Sequence, residues 1–283
     1  MCIVTMTPAL KQRLGRVWAP PPSAGVESFI AHDAPDDAGW LFTEERGSHF
    51  AGVSLWNIKT GEQRRVHRFA DPRSDHAGGG FDGRYLFWNE SHSMESFADF
   101  SVFSYDIQTG KTSHLADSIR DAKGNPYPSS FDSPVISRGM GAWVQGTGPE
   151  VAALKVVDLR TGHIRTARQG HIGPVQFLGD KLVFVEPQSQ GYHLVALDVR
   201  SLKEVPLPPA LAGTRNVAFF AGSSDGKTAY IDETLQQLWY SSGPDQAPKL
   251  VAQLPEAFGF QGGLEMSDSG IIYASQGGGS YFV

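Results

Sequence analysis

Imidazole and carboxylate side chains stand where predicted strands begin or end, and these are the groups that proteins use to transfer protons. His76 and His171 each lie at the entry to a strand, and Glu186 lies at the end of one. In a pocket of low dielectric constant, imidazoles and carboxylates can be tuned to exchange protons near neutral pH. We therefore predict His76, His171 and Glu186 as catalytic residues in an elimination, isomerisation, cyclisation or hydrolysis.

A second set of polar residues could bind the substrate of such a reaction. Arg215 has the planar guanidinium that holds an anionic group by two hydrogen bonds. The other predicted substrate-binding residues also lie at strand ends or in nearby loops: Glu44, Asn89, Gln145, Asp232, His92 and Asp132. The alternative for each of them is a structural role, in which the side chain binds loop amides and water.

A metal site is a second chemical interpretation of the same region. His76 and His171 occupy comparable positions two repeats apart, and Gln261 could complete a set of three ligands. Imidazole and oxygen ligands suit Mn²⁺, Zn²⁺ or another divalent ion. Because no HxH or HExxH spacing accompanies these residues, we expect no cofactor and keep this metal set as an alternative.

The elements that must position these residues form six repeats. Each repeat contains an apolar strand that ends in an aromatic residue, any residue and a polar residue. The copies are 42–44, 87–89, 143–145, 184–186, 230–232 and 273–275, spaced 41 to 56 residues apart. This spacing is close to the length of a four-stranded propeller blade. We expect the aromatic residues to pack between neighbouring blades and the polar residues to lie in equivalent places on one face.

The repeats predict an all-β, six-bladed β-propeller with four-stranded blades, in one domain that covers residues 1–283. The predicted blades cover 26–69, 76–117, 132–168, 173–208, 215–254 and 261–283. The last repeat stops before a fourth strand, so we predict that an N-terminal strand at 14–18 pairs with it and closes the ring. A polar residue before the turn between the third and fourth strands is expected to bind the amides of that turn, as at Asn57, Asp106, Asp158 and Asp198.

The repeats resemble those of TolB-like six-bladed propellers. The resemblance rests on segments 133–145 and 173–186 and on the Asp-apolar-x-Thr-Gly ends of the third strands, and it covers nearly the whole chain. It implies the fold but no single function, because the superfamily includes translocation partners, peptidase accessory domains, lactonases and lyases. Its oligogalacturonate lyases use a His/Gln metal set in the funnel. Unlike TolB, this sequence is expected to carry neither an N-terminal interaction domain nor a signal peptide.

Two long loops are expected on the face that carries the connections between blades and those between the second and third strands, here called the top face. The loop 89–100 contains two glutamates, a histidine and two phenylalanines, and it could form a lid or pack on its blade. The proline-rich loop 117–132 lies beside it. Four tryptophans could stack on sugars, although we expect Trp143 to lie in the core: Trp56, Trp88, Trp143 and Trp239.

The composition excludes several classes of function. A net charge of −6 argues against a nucleic-acid partner, because such proteins usually carry a basic surface. Cys2 is the only cysteine, so the chain can form neither an internal disulfide nor a cysteine-based metal site. No segment approaches the roughly 18 apolar residues of a membrane span, and we expect a cytoplasmic protein.

The leading functional hypothesis is a propeller that binds a small molecule in its top-face funnel and acts on it by acid–base chemistry. The alternative is a scaffold that binds a protein or peptide through the same face. A pocket lined by His76, His171 and Glu186 would favour the enzyme. A funnel filled by Phe97, Phe100 or Trp88 would favour the scaffold.

Overall fold

The structure is a computed structural model that describes residues 26–32, 36, 38–73, 75–93, 98–129, 133–189, 191–214, 217, 219–232, 234–253, 263–266, 272–276 and 279–282. These residues form 23 strands and one short helix, α1, at Pro209–Ala212. In chain order the strands are β1 Ser28–Ala31, β2 Trp40–Arg46, β3 Ala51–Asn57, β4 Gln63–Arg68, β5 His76–Phe81, β6 Tyr85–Ser91, β7 Phe100–Asp106, β8 Lys111–Asp117, β9 Val135–Ser137, β10 Met140–Gly146, β11 Ala152–Asp158, β12 His163–Gly170, β13 Val175–Leu178, β14 Lys181–Gln188, β15 Gly191–Asp198, β16 Glu204–Val205, β17 Phe219–Gly222, β18 Thr228–Ile231, β19 Gln237–Ser241, β20 Lys249–Gln253, β21 Gly263–Met266, β22 Ile272–Gln276 and β23 Gly279–Phe282.

The strands form a β-propeller. Each sheet is an antiparallel meander of consecutive strands, and β1–β4, β5–β8, β9–β12, β13–β16 and β17–β20 make five four-stranded blades. The first strands of successive sheets contact one another from β5 through β9, β13 and β17 to β21. The predicted all-β propeller with four-stranded blades is therefore confirmed. No helix in the described part of the chain is long and apolar enough to cross a membrane.

The predicted number of six four-stranded blades needs correction, because five such blades are present in the described residues. Strands β21–β23 make a sheet of three strands after the fifth blade. The predicted closing strand at 14–18 lies outside the described residues.

The repeated aromatic residues pack between neighbouring blades, as predicted. Phe42 lies in the apolar core between the first two blades, and Phe87 and Trp143 meet between the second and third with ring centroids 6.0 Å apart. Phe184 and Tyr230 occupy the next two interblade cores. All five are buried, and each ring contributes about 1.5–3 kcal/mol by leaving water. The side chain of Tyr273 lies outside the described residues.

The turns between third and fourth strands use polar caps in the predicted structural role. The Asn57 Oδ1 atom accepts hydrogen bonds from the amides of Lys59 and Thr60, both at 3.0 Å. Asp106, Asp158 and Asp198 accept equivalent amide bonds in their own turns. Gly61 adopts a φ of 76°, a left-handed conformation that side chains with a Cβ rarely adopt.

A β-bulge interrupts the outer strand in four of the five blades. The pairing of the third and fourth strands shifts by one residue, and the extra residue belongs to the fourth strand each time. These extra residues are apolar in all four blades: Val66, Leu115, Ala167 and Val251. A bulge reverses the alternation of side chains beyond it, so the top ends of these strands face differently from their lower parts.

Candidate functional site

Buried carboxylates concentrate at the top of the seam between the first and second blades. Glu44 lies near the end of β2, Asp75 lies in the connection between the blades, and Glu90 lies near the end of β6. Each is only 2% exposed. Because burial of a carboxylate is costly unless it is bonded or paired, the groups around these three decide what the seam can do.

Glu44 is held by both blades. Its Oε1 atom accepts hydrogen bonds from Arg46 Nε at 3.0 Å and Nη2 at 2.7 Å. Its Oε2 atom accepts one from the amide of Ala77, at 2.9 Å. Arg46 also donates to the carbonyl oxygen of Asp75 at 2.6 Å. Glu44 is therefore a fixed, charge-paired carboxylate next to the start of β5.

His32 and His76 lie beside this carboxylate. The Nε2 atom of His32 is 4.0 Å from Glu44 Oε2 and is buried without a hydrogen-bond partner among the described residues. Burial, and then repulsion by the charge of His76, lowers the pKa of His32 from 6.5 to about 4. His32 is therefore a neutral imidazole at pH 7. His76 is partly exposed at the start of β5.

A second group of titratable residues lies farther out in the same seam. The Nδ1 atom of His92 is 3.3 Å from Asp75 Oδ1, and His67 Nε2 is 2.9 Å from Glu90 Oε2. The second contact is short but not aligned as a hydrogen bond, and Glu90 Oε2 has no aligned donor in the described part of the chain. Ligand atoms of Asp75, Glu90 and His92 all lie within 4.8 Å of one another, so these three residues could hold a metal ion.

His92 connects this group to the outer edge of the second blade. Its Nε2 atom is 3.1 Å from Ser101 Oγ, and Ser101 donates a hydrogen bond of 2.7 Å to Asp117 Oδ1. His114 Nε2 lies 2.8 Å from the same oxygen. The hydrogen bond from Ser101, together with His114, lowers the pKa of Asp117 below its usual value. The result is a continuous polar chain from Asp75 to Asp117.

Two of the predicted strand-end residues bond to the outer strand of the preceding blade. Gln145 is buried and donates from Nε2 to the carbonyl oxygen of Asp117 at 2.6 Å. Glu186 accepts a hydrogen bond of 2.7 Å from Arg168 Nε at the seam between the third and fourth blades. Glu90 and His67 make the corresponding contact at the first seam. These side chains therefore face neighbouring blades instead of sharing one ring.

The other predicted residues lie apart from the first seam. Asp232 Oδ1 accepts hydrogen bonds from Thr234 Oγ1 at 2.7 Å and from the amide of Gln237 at 3.1 Å, so it caps its own turn. Asn89 Oδ1 lies beside Gly78, on the side facing Ser133 of the third blade. His171 is exposed before β13. The remaining three predicted residues, Arg215, Asp132 and Gln261, lie outside the described residues.

The structure thus brings together Glu44, His76 and His92 from the predicted set, but not with His171 or Glu186. It adds residues that were not predicted: His32, His67, Asp75 and Ser101. The sequence contained an indication of part of this group. Glu90 and His92 are two residues apart at the end of a strand, so their side chains lie on the same face. His67 gave no such signal, because the bulge at Val66 turns it towards the second blade.

The tryptophans contribute to packing. Trp56, Trp88 and Trp143 are at most 3% exposed, so the hypothesis that they stack on sugars was wrong for these three, and the predicted core position of Trp143 is confirmed. Trp88 and Phe100 lie in the interblade cores and not in the funnel. Phe97 lies outside the described residues.

Comparison with known proteins supports the fold. No protein-family model and no curated protein matches the sequence. An oligogalacturonate lyase in complex with manganese is similar in structure, with 12% identity and a TM-score of 0.56 over 91% of this chain and 76% of that chain. A putative TolB from Agrobacterium tumefaciens has 10% identity and a TM-score of 0.53, with 91% of each chain covered.

A third similar structure is a puromycin-hydrolyzing peptidase from Mycobacterium tuberculosis. It has 13% identity and a TM-score of 0.51 over 90% of this chain. The match spans only 45% of the peptidase, so this chain is similar to less than half of that protein. At these identities the three likenesses show the β-propeller fold alone, which confirms the TolB-like resemblance at the level of fold.

Proposed function

We propose that this propeller binds a small molecule at the top of the seam between its first two blades and acts on it by acid–base chemistry. The observation that carries the proposal is the convergence of Glu44, His32 and His76. A strongly shifted imidazole next to a buried carboxylate and a second imidazole is typical of functional sites. The distances and hydrogen bonds that hold Glu44 support the same proposal independently of the pKa.

Each residue of this group has a distinct role in the proposal. His76, which is partly exposed, takes a proton from the substrate or from water. His32 is neutral at pH 7 and can donate or accept one hydrogen bond with the ligand. Glu44, positioned by Arg46, stabilises the imidazolium that forms when His76 accepts the proton. Roles for Arg215, His171 and Glu186 stay predictions.

The activities of two similar proteins indicate which reactions to assay first. One is a lyase of oligogalacturonates and another is a hydrolase of puromycin. Elimination and hydrolysis both include a proton transfer, and a positioned imidazole that takes part in it contributes about 10²–10⁴-fold to the rate. We therefore propose lyase or hydrolase chemistry.

The test is an activity screen with matched variants. Purified protein is assayed against oligogalacturonates, by the ultraviolet absorbance of the new double bond, and against puromycin and short peptides, by release of the free amine. With an active substrate, His76→Ala should lower kcat by about 10²-fold or more. His163→Ala changes an exposed histidine on the opposite face and should leave the rate unchanged. Full activity of His76→Ala would contradict the proposal.

We also infer that the three-stranded sheet β21–β23 is a sixth blade. The contact of its first strand with β17 supports this, because the first strands of the second to fifth blades make the same contact with one another. The segment 14–18 would supply its outer strand. A ring closed by pairing the two ends of the chain would leave no exposed sheet edge at that position.

A further inference from the structure

Two buried carboxylates of the first seam lack the partner that a buried charge normally has. Glu44 is paired with Arg46, and the buried Glu45 accepts hydrogen bonds from Gln63 Nε2, at 2.8 and 3.1 Å, and from Trp56. Asp75 and Glu90 are equally buried, yet no lysine or arginine side chain among the described residues pairs with either carboxylate. A cation between them would offset the cost of burying both charges.

The hydrogen-bond chain at His92 shows where that cation would lie. Ser101 has one proton and donates it to Asp117 Oδ1, so His92 Nε2 must donate to Ser101 Oγ at 3.1 Å. In a neutral imidazole, the lone pair of Nδ1 then points at Asp75 Oδ1. Two lone pairs cannot bond to each other, so a proton or a metal ion must lie between them.

The geometry favours a metal ion over a proton. A charge-assisted N–H···O bond is usually about 2.7–2.9 Å long, whereas Nδ1 and Oδ1 are 3.3 Å apart. Neighbouring ligands of an ion with bonds of about 2.1 Å lie about 3.0–3.4 Å apart in octahedral or tetrahedral geometry. Glu90 adds a third ligand atom within 4.8 Å, and its buried Oε2 has no aligned hydrogen-bond donor among the described residues.

We propose that Asp75, Glu90 and His92 bind one divalent transition-metal ion, Mn²⁺ or Zn²⁺. The ligands are Nδ1 of His92 and one oxygen of each carboxylate, a mixed set that suits these ions better than Ca²⁺. Ser101 and Asp117 orient the imidazole from its other nitrogen, as outer hydrogen-bond partners do in metal sites. The amide of Asp71 holds the second oxygen of Asp75, at 2.7 Å. This site does not depend on the proposed role of His76.

Metal binding to the intact chain tests the proposal. The protein is dialysed against chelator and titrated with Mn²⁺, followed by electron paramagnetic resonance of the free ion, and with Zn²⁺, followed by calorimetry. We expect one ion per chain and a higher melting temperature with metal. Asp75→Asn, Glu90→Gln and His92→Ala should each weaken binding by about 100-fold or more. Ser101→Ala should weaken it by about 10–100-fold.

Matched controls separate this site from other acidic or imidazole groups. Glu150→Gln and His163→Ala change exposed residues and should bind metal like the wild type. His76→Ala should also keep full metal affinity, which distinguishes this proposal from the proposed activity. If a Glu90→Gln chain does not fold, Ser101→Ala and His92→Ala still decide the result. The proposal would be overturned if the wild type did not bind one metal ion per chain. It would also be overturned if the His92→Ala and Ser101→Ala variants bound metal as tightly as the wild type.

Discussion

The seam between the first and second blades and the seam between the third and fourth blades share one construction but differ in chemistry. In each, a continuous apolar core includes an aromatic residue near the end of a second strand, Trp88 in one and Phe184 in the other. Two residues later a glutamate meets the bulged outer strand of the preceding blade. The pair is Glu90 with His67 in the first case and Glu186 with Arg168 in the second.

The difference between these pairs is burial and the kind of cation. Arg168 and Glu186 are 40% and 21% exposed, and arginine is always charged. The side chain of Glu90 is 3% exposed and faces a histidine, a residue type that is not permanently charged. An exposed pair adds little to stability, and a buried carboxylate without a fixed cation costs stability. The first seam therefore contains charged groups that packing alone does not require.

The largest effect is expected when the fixed cation of the first seam is removed. Arg46→Met should lower the free energy of unfolding by about 3 kcal/mol, because Glu44 stays buried without its partner. Urea denaturation measures the change. Adding Glu44→Gln to Arg46→Met removes the stranded charge and should restore a large part of the loss. A loss below about 1 kcal/mol would show that Glu44 is not a buried charge in solution.

An intermediate effect is expected from pH. The folded pKa of His32, about 4, is below the unfolded value of 6.5, so between these values the unfolded chain binds more protons. Stability should therefore fall as pH decreases from about 6.5 to about 4, by up to about 3 kcal/mol from this residue. Melting curves across this range measure the slope. His32→Gln should flatten the curve, whereas the same change at exposed His163 should not; an unchanged slope in His32→Gln would count against the buried neutral imidazole.

The smallest effect is expected at the seam between the third and fourth blades. Arg168→Met removes the cation from Glu186, as Arg46→Met does from Glu44, but both partners are partly exposed. The loss in the free energy of unfolding should be about 1 kcal/mol or less. The same urea experiment measures it. If this variant lost as much stability as Arg46→Met, burial would not explain the difference between the seams.

The fold could be predicted because it depends on a repeated requirement. Each blade needs a large apolar side chain against its neighbour and a capped turn between its outer strands, and both leave a regular pattern in the sequence. The caps at Asn57 and Asp106 and the buried aromatic residues at Phe42 and Phe184 show this.

The candidate site was harder to predict because the aromatic-x-polar pattern does not determine which blade a side chain faces. Phe42 and Phe87 pack against the following blade, whereas Trp143, Phe184 and Tyr230 pack against the preceding one. The copies in the first two blades are therefore displaced by one residue, and Trp88-Asn89-Glu90 is the structural counterpart of 184–186. Residue types alone therefore point to Asn89, whereas Glu90 occupies the equivalent position in the structure.

The bulges in the outer strands also divide each strand into two independently variable parts. Below the extra residue, alternation follows the packing of the blade; above it, alternation starts again with the opposite phase. The residues beyond the bulge of such a strand can therefore be substituted without disturbing the hairpin beneath. The outer strands therefore share one blade architecture while each carries its own polar group at the rim: histidine at position 67, aspartate at 117 and arginine at 168.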